Sequence, residues 1–335
     1  MMLLVDALYI CYGGALGLLR YLVRSLQEEG REFFLLYDSR CGDEFDSLPH
    51  KEKIIVGLKQ RKAFYKERGK TFDRVFCFGN IPPPYKLNVP VYTYFHNINM
   101  LTLADSRDWK QYLQLWMKRT YIKRLKRHTD CWFVQTENTE KQLRKYFAEP
   151  QERVERFPFY DFPAPALTGE ERREDYVFVG EYTGSKGHQE LLKAWTMLYD
   201  IGFKKTLHLT CSSSADDFMT RLDKAVKAGV PIVNHGFVSR EEVKALYLQS
   251  KATIYPSFNE SFGLGLVEAL GCGCDVIASD RAFTYSVCKP SEVFEPSSPI
   301  SIAEAVLRYE EGNAAQSQQL VFDRLQDMLD KICKK

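Results

Sequence analysis

Two glutamates with a fixed spacing are the residues of this chain best placed to do chemistry. Glu260 and Glu268 are separated by seven residues in the stretch YPSFNESFGLGLVEALGCG, which starts at Tyr255. The stretch predicts a strand, then a loop carrying Glu260, then a helix that begins near Phe262–Leu264. The first turn of a helix offers unpaired N–H groups and a positive dipole end, so it attracts anions. We therefore predict an anion site flanked by two carboxylates, each able to accept hydrogen bonds from a vicinal diol.

Glycines within this stretch sharpen the prediction. Gly263 and Gly265 have no Cβ, so a diphosphate could approach the backbone closely. The structural alternative makes Glu260 an ordinary loop residue and Glu268 a surface residue of an amphipathic helix. Glycine at both positions of a strand–loop–helix unit weakens that alternative.

The elements around the stretch indicate an α/β protein. Short apolar strands are predicted at 2–5, 33–37, 75–78, 91–95 and 131–135, with a helix over 16–29 and a turn at Gly13–Gly14. The alternation restarts near residue 176, with strands at 176–180, 206–211, 232–234, 252–255 and 275–278 and helices at 190–199, 216–228, 240–249 and 264–271. Such series predict parallel sheets covered on both faces, with ligands at the carboxyl ends of the strands.

The domain limits follow from where the alternation lapses. Residues 157–174 contain three prolines, Gly169 and a charged cluster, which is typical of a linker. We predict a first Rossmann-like domain over 1–162, a second over 163–313, and a C-terminal helical segment over 314–335. The helix itself is expected at 315–332, packing back on the first domain.

The Glu260 stretch resembles the signature of the family 4 glycosyltransferases. That signature is a Glu, seven residues and a second Glu within a sequence like PSxxESFGLxxxEAxxxG, and Pro256, Ala269 and Gly273 also match. The resemblance implies the GT-B fold, in which two Rossmann-like doubly wound domains face each other across an interdomain cleft. It also implies that Glu260 contacts the transferred sugar and that Glu268 holds the ribose. The donor diphosphate would meet the N–H groups of the segment formed by Ser261, Phe262, Gly263 and Leu264.

Other positions agree with the same resemblance. Lys186 would neutralise the leaving diphosphate, and His96, at a predicted strand end, would face the donor sugar. Gly13 and Gly14 correspond to the glycine loop beside the phosphates, and Gly236 and Val238 to the loop that binds the base. Ser239 and Glu242 have capping-box spacing. Glu181 stands where the family often has an arginine, which removes one expected phosphate contact.

Charge and cysteine content bear on location and partners. Residues 1–162 carry 27 Lys and Arg against 20 Asp and Glu, whereas 163–335 carry 19 against 24. A basic first half indicates an anionic partner surface, although a solvated basic face is an equal alternative. Six basic residues within 116–128, with Trp116 and Tyr121, indicate contact with an anionic membrane, but at helical spacing they fall all round the helix and do not form one basic face. An exposed cluster without a partner and a site for an acceptor pyrophosphate are the alternatives. Nine scattered cysteines predict reduced thiols and therefore a cytoplasmic protein. The basic segment adds the expectation of a peripheral position on the inner membrane face.

The expected reaction is transfer of a sugar from a UDP- or GDP-type donor to a glycan or polyprenyl-linked acceptor. Neither a metal nor another cofactor is expected, because no two aspartates are separated by one residue as in the Asp-x-Asp motif. The family implies retention of anomeric configuration and a place in cell-surface polysaccharide synthesis. Nucleic acid is not an expected partner. A nucleotide-sugar epimerase or hydrolase, and a non-catalytic binding subunit, remain the alternatives.

Overall fold

The computed structural model describes residues 2–103, 109–161, 174–212 and 216–334. The chain divides into two compact units, one comprising Met1–Asp161 with Phe322–Lys335 and the other comprising Phe162–Val321. Most of the predicted linker, at 162–173, lies outside the described residues.

The first unit contains a parallel sheet of seven strands within the described residues. Its elements in chain order are β1 (Leu3–Asp6), α1 (Gly13–Glu28), β2 (Phe33–Asp38), β3 (Lys51–Ile54), α2 (Leu58–Arg68), β4 (Arg74–Cys77), β5 (Val91–Phe95), α3 (Asn99–Thr102), α4 (Trp109–Leu125), β6 (Cys131–Val134), α5 (Glu137–Phe147) and β7 (Val154–Arg156). The strand order is β3-β2-β1-β4-β5-β6-β7. The central strands are continuous apolar runs because helices cover both faces.

The second unit repeats this design with six parallel strands in its described part. Its elements are β8 (Tyr176–Phe178), α6 (His188–Asp200), β9 (Leu207–Leu209), α7 (Asp216–Lys227), β10 (Ile232–Asn234), α8 (Arg240–Gln249), β11 (Ala252–Tyr255), α9 (Leu264–Gly271), β12 (Asp275–Ser279), α10 (Ala282–Tyr285), β13 (Cys288–Lys289), β14 (Glu292–Phe294), α11 (Pro299–Glu310) and β15 (Gln318–Gln319). The sheet order is β10-β9-β8-β11-β12-β14, and β13 pairs antiparallel with β15. The prediction of two doubly wound α/β domains is confirmed.

Two predicted element limits are wrong. Helix α1 begins at Gly13 and not at residue 16, so the two glycines form its first turn. The C-terminal helix, α12, covers Leu325–Cys333 only, since 318–319 pair with β13 as a strand. The apolar side of α12 is buried in the first unit's core through Leu325, Met328, Leu329 and Ile332. No helix among the described residues is both long and apolar enough to span a bilayer.

Candidate functional site

The loops after β8 and β11 bring two predicted site residues into contact. The two strands are parallel neighbours, so their carboxyl ends lie at the same edge of the sheet. The Nζ of Lys186 donates a hydrogen bond of 2.5 Å to Oε1 of Glu260. The hydroxyl of Tyr255 donates to the same oxygen at 3.2 Å. A part-buried lysine–glutamate pair therefore lies where open α/β sheets bind ligands.

Close packing of the two loops fixes the position of Lys186. Gly187 has a φ of +68°, and a Cβ built there would lie 2.2 Å from the carbonyl oxygen of Pro256. The N–H of Phe258 donates to the carbonyl of Ser185 at 2.8 Å, which joins the loops directly. Glycine is required at 187 for conformation and for space, so the lysine before it has little freedom to move.

Helix α9 starts immediately after the glutamate loop. Gly263, with a φ of +81°, is its N-cap residue and Leu264 its first residue, as the sequence predicted. As a glycine, the N-cap residue has no side chain with which to cap the helix. Ser261 and Leu264 are half-buried, whereas Phe262 and Gly263 are buried. A helix N-terminus beside a lysine is a suitable environment for an anion.

Gly265 has a packing role in the structure. A Cβ at this position would lie 3.0 Å from the ring of Tyr255 and 3.1 Å from the hydroxyl of Tyr247. The glycine therefore lets α9 pack against two buried tyrosines, and its part in the approach of a diphosphate stays a prediction.

Glu268 lies in the second turn of α9 with its side chain only 12% exposed. Arg240 Nη2 is 3.9 Å from its Oε1. Burial raises the pKa of Glu268 to about 7, although the positive charges of Arg240 and Lys186 act in the opposite direction. Near neutral pH this carboxyl group therefore changes its charge, and binding a ligand that donates hydrogen bonds would favour the ionised form.

The predicted base-binding loop follows β10 at the same sheet edge. Gly236 has a φ of +70°, and its N–H donates to Asn234 Oδ1 at 3.3 Å. Phe237 is 86% exposed, and Val238 is half-buried. The capping box of Ser239 and Glu242 on α8 is confirmed. Because β10 is two strands from β8, this loop lies about 10 Å along the edge from the Lys186 loop.

Glu181, which stands in place of a common arginine, is exposed and joins two loops. Its Oε2 accepts a hydrogen bond of 3.1 Å from the N–H of Ser212, which follows β9. The residue therefore links the loops after neighbouring strands β8 and β9.

The remaining predicted residues lie at the carboxyl edge of the first unit's sheet. Gly13 and Gly14 are exposed at the start of α1, which follows β1. His96 follows β5, and its backbone N–H donates to Asn80 Oδ1 at 2.7 Å. No local motif in the sequence indicates Asn80, whose left-handed backbone, with φ of +67°, depends on tertiary contacts. Arg240 and Tyr255 were missed in the same way, because only the fold brings them to Glu268 and Glu260.

Within the described ranges, no group of three or more His, Cys, Asp or Glu side chains could hold a metal ion.

A family model matches most of the second unit. Residues 165–321 match the family model for "Glycosyl transferases group 1". The chain is 30% identical over 107 residues to D-inositol 3-phosphate glycosyltransferase of an Arthrobacter species, covering 31% of this chain and 25% of that protein. It is 29% identical over 138 residues to an uncharacterised glycosyltransferase of Methanocaldococcus jannaschii, covering 39% of this chain and 34% of that protein. The chain thus spans about a third or less of these curated relatives.

Solved structures are similar over nearly the whole chain. WaaG, a glycosyltransferase involved in lipopolysaccharide biosynthesis, matches with a TM-score of 0.70 and 14% identity, covering 100% of both chains. Sucrose-phosphate synthase from Thermosynechococcus elongatus matches with a TM-score of 0.70 and 18% identity, covering 93% of this chain and 90% of that one. Anabaena HepE in complex with UDP-glucose matches with a TM-score of 0.67 and 13% identity, covering 99% of this chain and 94% of that one. At these identities the likeness establishes the fold, which is that of the GT-B glycosyltransferases.

Proposed function

Residues 165–321 form a glycosyltransferase group 1 domain, and from this premise we propose that the protein transfers a sugar from a nucleotide-sugar donor to a glycan or polyprenyl-linked acceptor. The similar proteins support this class: one is an O-antigen chain mannosyltransferase of Escherichia coli, and the Anabaena structure contains UDP-glucose. The UDP-glucose complex favours a UDP-type donor, beside which a GDP-type donor stays open, and the O-antigen enzyme favours a role in polysaccharide synthesis.

The observation that carries the proposal is the contact between Lys186 and Glu260 beside the N-terminus of α9. Without a ligand, the ammonium group is paired with the carboxylate. A donor diphosphate would give the ammonium group a stronger anionic partner and would also meet the backbone N–H groups at 261–264. Glu260 would then be free to accept hydrogen bonds from the hydroxyls of the transferred sugar.

The nucleoside part of the donor fits the rest of this edge. Glu268 would accept hydrogen bonds from the ribose hydroxyls through its buried carboxyl group. The loop with Gly236 and Val238 would contact the base through its backbone, and the exposed ring of Phe237 offers an apolar face for it. The roles of Gly13, Gly14 and His96 in the first unit stay predictions from the family resemblance.

We further propose that transfer retains the anomeric configuration and needs no divalent metal. Lys186 and the positive end of α9 would stabilise the leaving diphosphate, which is the role a metal ion has in other glycosyltransferases. Determining the anomeric configuration of the product by NMR tests the first point, and an inverted product would contradict it. Activity that disappears with EDTA and returns with magnesium would contradict the second.

Helix α4 is the best candidate for contact with an anionic membrane. Trp109, Tyr112, Leu113, Trp116 and Met117 follow helical spacing on one face and are all exposed, Trp109 by 70% and Met117 by 51%. Basic residues follow in the same helix, at 118, 119, 123 and 124. Aromatic rings beside lysines and arginines suit the interface of an anionic bilayer, where each basic residue contributes about 1 kcal/mol. The cytoplasmic location stays a prediction.

The proposed function is tested by measuring transfer from radiolabelled UDP- and GDP-sugars to a lipid-linked acceptor pool. Glu260→Gln keeps the volume and removes the charge, so we expect transfer to fall by at least about a hundredfold. Glu304→Gln is the matched control, because Glu304 is exposed on α11 away from this edge. Transfer by Glu260→Gln at the rate of the control would contradict the catalytic assignment, and release of free sugar without transfer would favour a hydrolase.

A further inference from the structure

A buried asparagine holds both the backbone and the ring of His96. Asn80 is 5% exposed. Its Oδ1 accepts the backbone N–H of His96 at 2.7 Å, and its Nδ2 is 3.3 Å from the ring Nε2. One side chain therefore fixes the histidine at two points, its peptide group and one ring nitrogen.

These two contacts determine which ring nitrogen carries the proton. A backbone N–H can only donate, so the amide atom facing it must be the oxygen. The other amide atom is then the NH₂ group, which also only donates, and Nε2 must accept with its lone pair. A neutral imidazole has one proton, which is consequently on Nδ1.

The surroundings keep the ring neutral. The rings of Phe78 and Tyr94 lie beside the imidazole, with centroids 5.3 and 6.0 Å away. Burial lowers the pKa of His96 to about 4, so the imidazole is uncharged at neutral pH. Nδ1 itself is buried and has no hydrogen-bond partner in the described part of the chain. A buried donor without a protein partner is costly, so a polar atom from a ligand or from an ordered water is expected to satisfy it.

The loop that carries Asn80 is held by a buried ion pair. Arg61 on α2 donates to the carbonyls of Ile81 at 2.8 Å and Pro82 at 2.9 Å, and its guanidinium pairs with Asp6 at 2.7 Å. On the other side, a Cβ at Gly79 would lie 2.4 Å from the carbonyl oxygen of Leu8. The loop therefore packs tightly on the end of β1, so Asn80 is fixed in place before any ligand binds.

We propose that Asn80 is a positioning residue that holds His96 as the Nδ1-protonated tautomer and so presents the Nδ1–H as a hydrogen-bond donor to an oxygen of the ligand. The tautomer follows from this chain's own contacts. That the oxygen belongs to the donor sugar rests on the proposed function.

Long-range ¹H–¹⁵N correlation spectra of protein labelled at histidine test the tautomer directly, with His96→Gln used to assign the signal. We expect His96 of the unmodified protein to be protonated at Nδ1. In Asn80→Asp the carboxylate still accepts the backbone N–H but offers only a lone pair to Nε2, so the ring proton should move to Nε2. Aspartate also tolerates the left-handed backbone at 80. Asn88→Asp is the control, since Asn88 is exposed and the same charge is introduced.

The same variants test what the tautomer does for the reaction. We expect kcat/KM for the donor to fall about ten- to a hundredfold in Asn80→Asp. The buried carboxylate should also lower the melting temperature relative to the control, so rates are compared at a temperature at which circular dichroism shows both variants folded. Asn80→Gly, which keeps the backbone conformation, should show mixed tautomers and an intermediate rate. An Nε2-protonated ring in the unmodified protein, or an unchanged tautomer in Asn80→Asp, would overturn the proposal. A reversed tautomer with an unchanged rate would overturn the role in donor binding. Absence of transfer by the unmodified protein would instead refute the proposed function, while the spectra would still decide the tautomer.

Discussion

The buried carboxyl group of Glu268 should make both stability and donor binding depend on pH. Its pKa is raised from 4.5 to about 7 because burial disfavours the charged form. In the unfolded chain the same group ionises at its ordinary pKa. Between pH 4.5 and 7 the folded protein therefore binds one proton more than the unfolded chain, and stability falls as pH rises through this window. Above pH 7 both states are ionised and the loss is complete.

The size of the effect follows from the two pKa values. A shift of about 2.5 units corresponds to about 3.4 kcal/mol when fully developed, of which about 2.5 kcal/mol develops between pH 5 and pH 8. Glu268→Gln cannot ionise and should not show this loss. We therefore expect the free energy of unfolding of the unmodified protein in urea to fall by about 2.5 kcal/mol more, from pH 5 to pH 8, than that of Glu268→Gln. Glu304→Gln, at an exposed site, supplies the control.

Donor binding should show the opposite dependence on pH. Ribose hydroxyls donate to a carboxylate, so binding favours the ionised form of Glu268 and should weaken as pH falls below about 7, by up to tenfold per unit. Calorimetric titration with the nucleotide sugar, whose doubly esterified diphosphate does not titrate between pH 5 and pH 8, measures this at several pH values, and the Glu268→Gln profile should be flat. Stability curves of variant and unmodified protein that run parallel from pH 5 to pH 8 would refute the pKa argument. Equal pH profiles for binding would refute the contact with the ribose.

Three further predictions concern packing and surfaces. Gly187→Ala should lower the free energy of unfolding by about 2 kcal/mol or more, because an alanine there would be strained by the positive φ and would clash with the carbonyl of Pro256. Gly184→Ala, at a position with open space around it, should have little effect, and equal melting temperatures of the two variants would contradict this prediction. Arg61→Met should lower the free energy of unfolding by about 3–5 kcal/mol, because it leaves Asp6 buried and unpaired. Lys62→Met, at an exposed position, is the control, and an unchanged free energy of unfolding in urea for Arg61→Met would argue against a stabilising ion pair. Replacing both Trp109 and Trp116 by serine should reduce the fraction of protein that sediments with anionic phosphatidylglycerol vesicles, whereas Ile201→Ser should not. If the unmodified protein bound neutral phosphatidylcholine vesicles as well as anionic ones, a surface specific for anionic lipid would be contradicted.

Much of the second unit could be predicted from its sequence. Strand β11 and helices α8 and α9 have the bounds that the sequence indicated. A continuous apolar strand, a capping box and a glycine at the helix start all agree there, so local signals match the fold. The C-terminal helix was predicted too long because β15 forms only by pairing with β13, and a partner distant in sequence leaves no local pattern.

The first unit was harder to predict where its elements are charged. Strand β3, with the sequence KEKI, lies at the sheet edge and lacks the apolar alternation of a half-buried strand. The contacts within the candidate site were also beyond sequence reasoning. The sequence placed Lys186 and Glu260 at strand ends, but their direct contact depends on how the two loops pack. Asn80 has no motif, because its role arises from a left-handed backbone held by Arg61.

The central claim, that the second unit binds the diphosphate of a nucleotide sugar at Lys186, is tested most directly by thermal unfolding with UDP-, GDP- and ADP-sugars. A bound donor at a hundredfold excess over its dissociation constant stabilises by about 2.7 kcal/mol. We expect one nucleotide class to stabilise the unmodified protein and Lys193→Met, an exposed control on α6, but to stabilise Lys186→Met much less. Equal stabilisation of Lys186→Met, or none of the unmodified protein by any of the three, would contradict it.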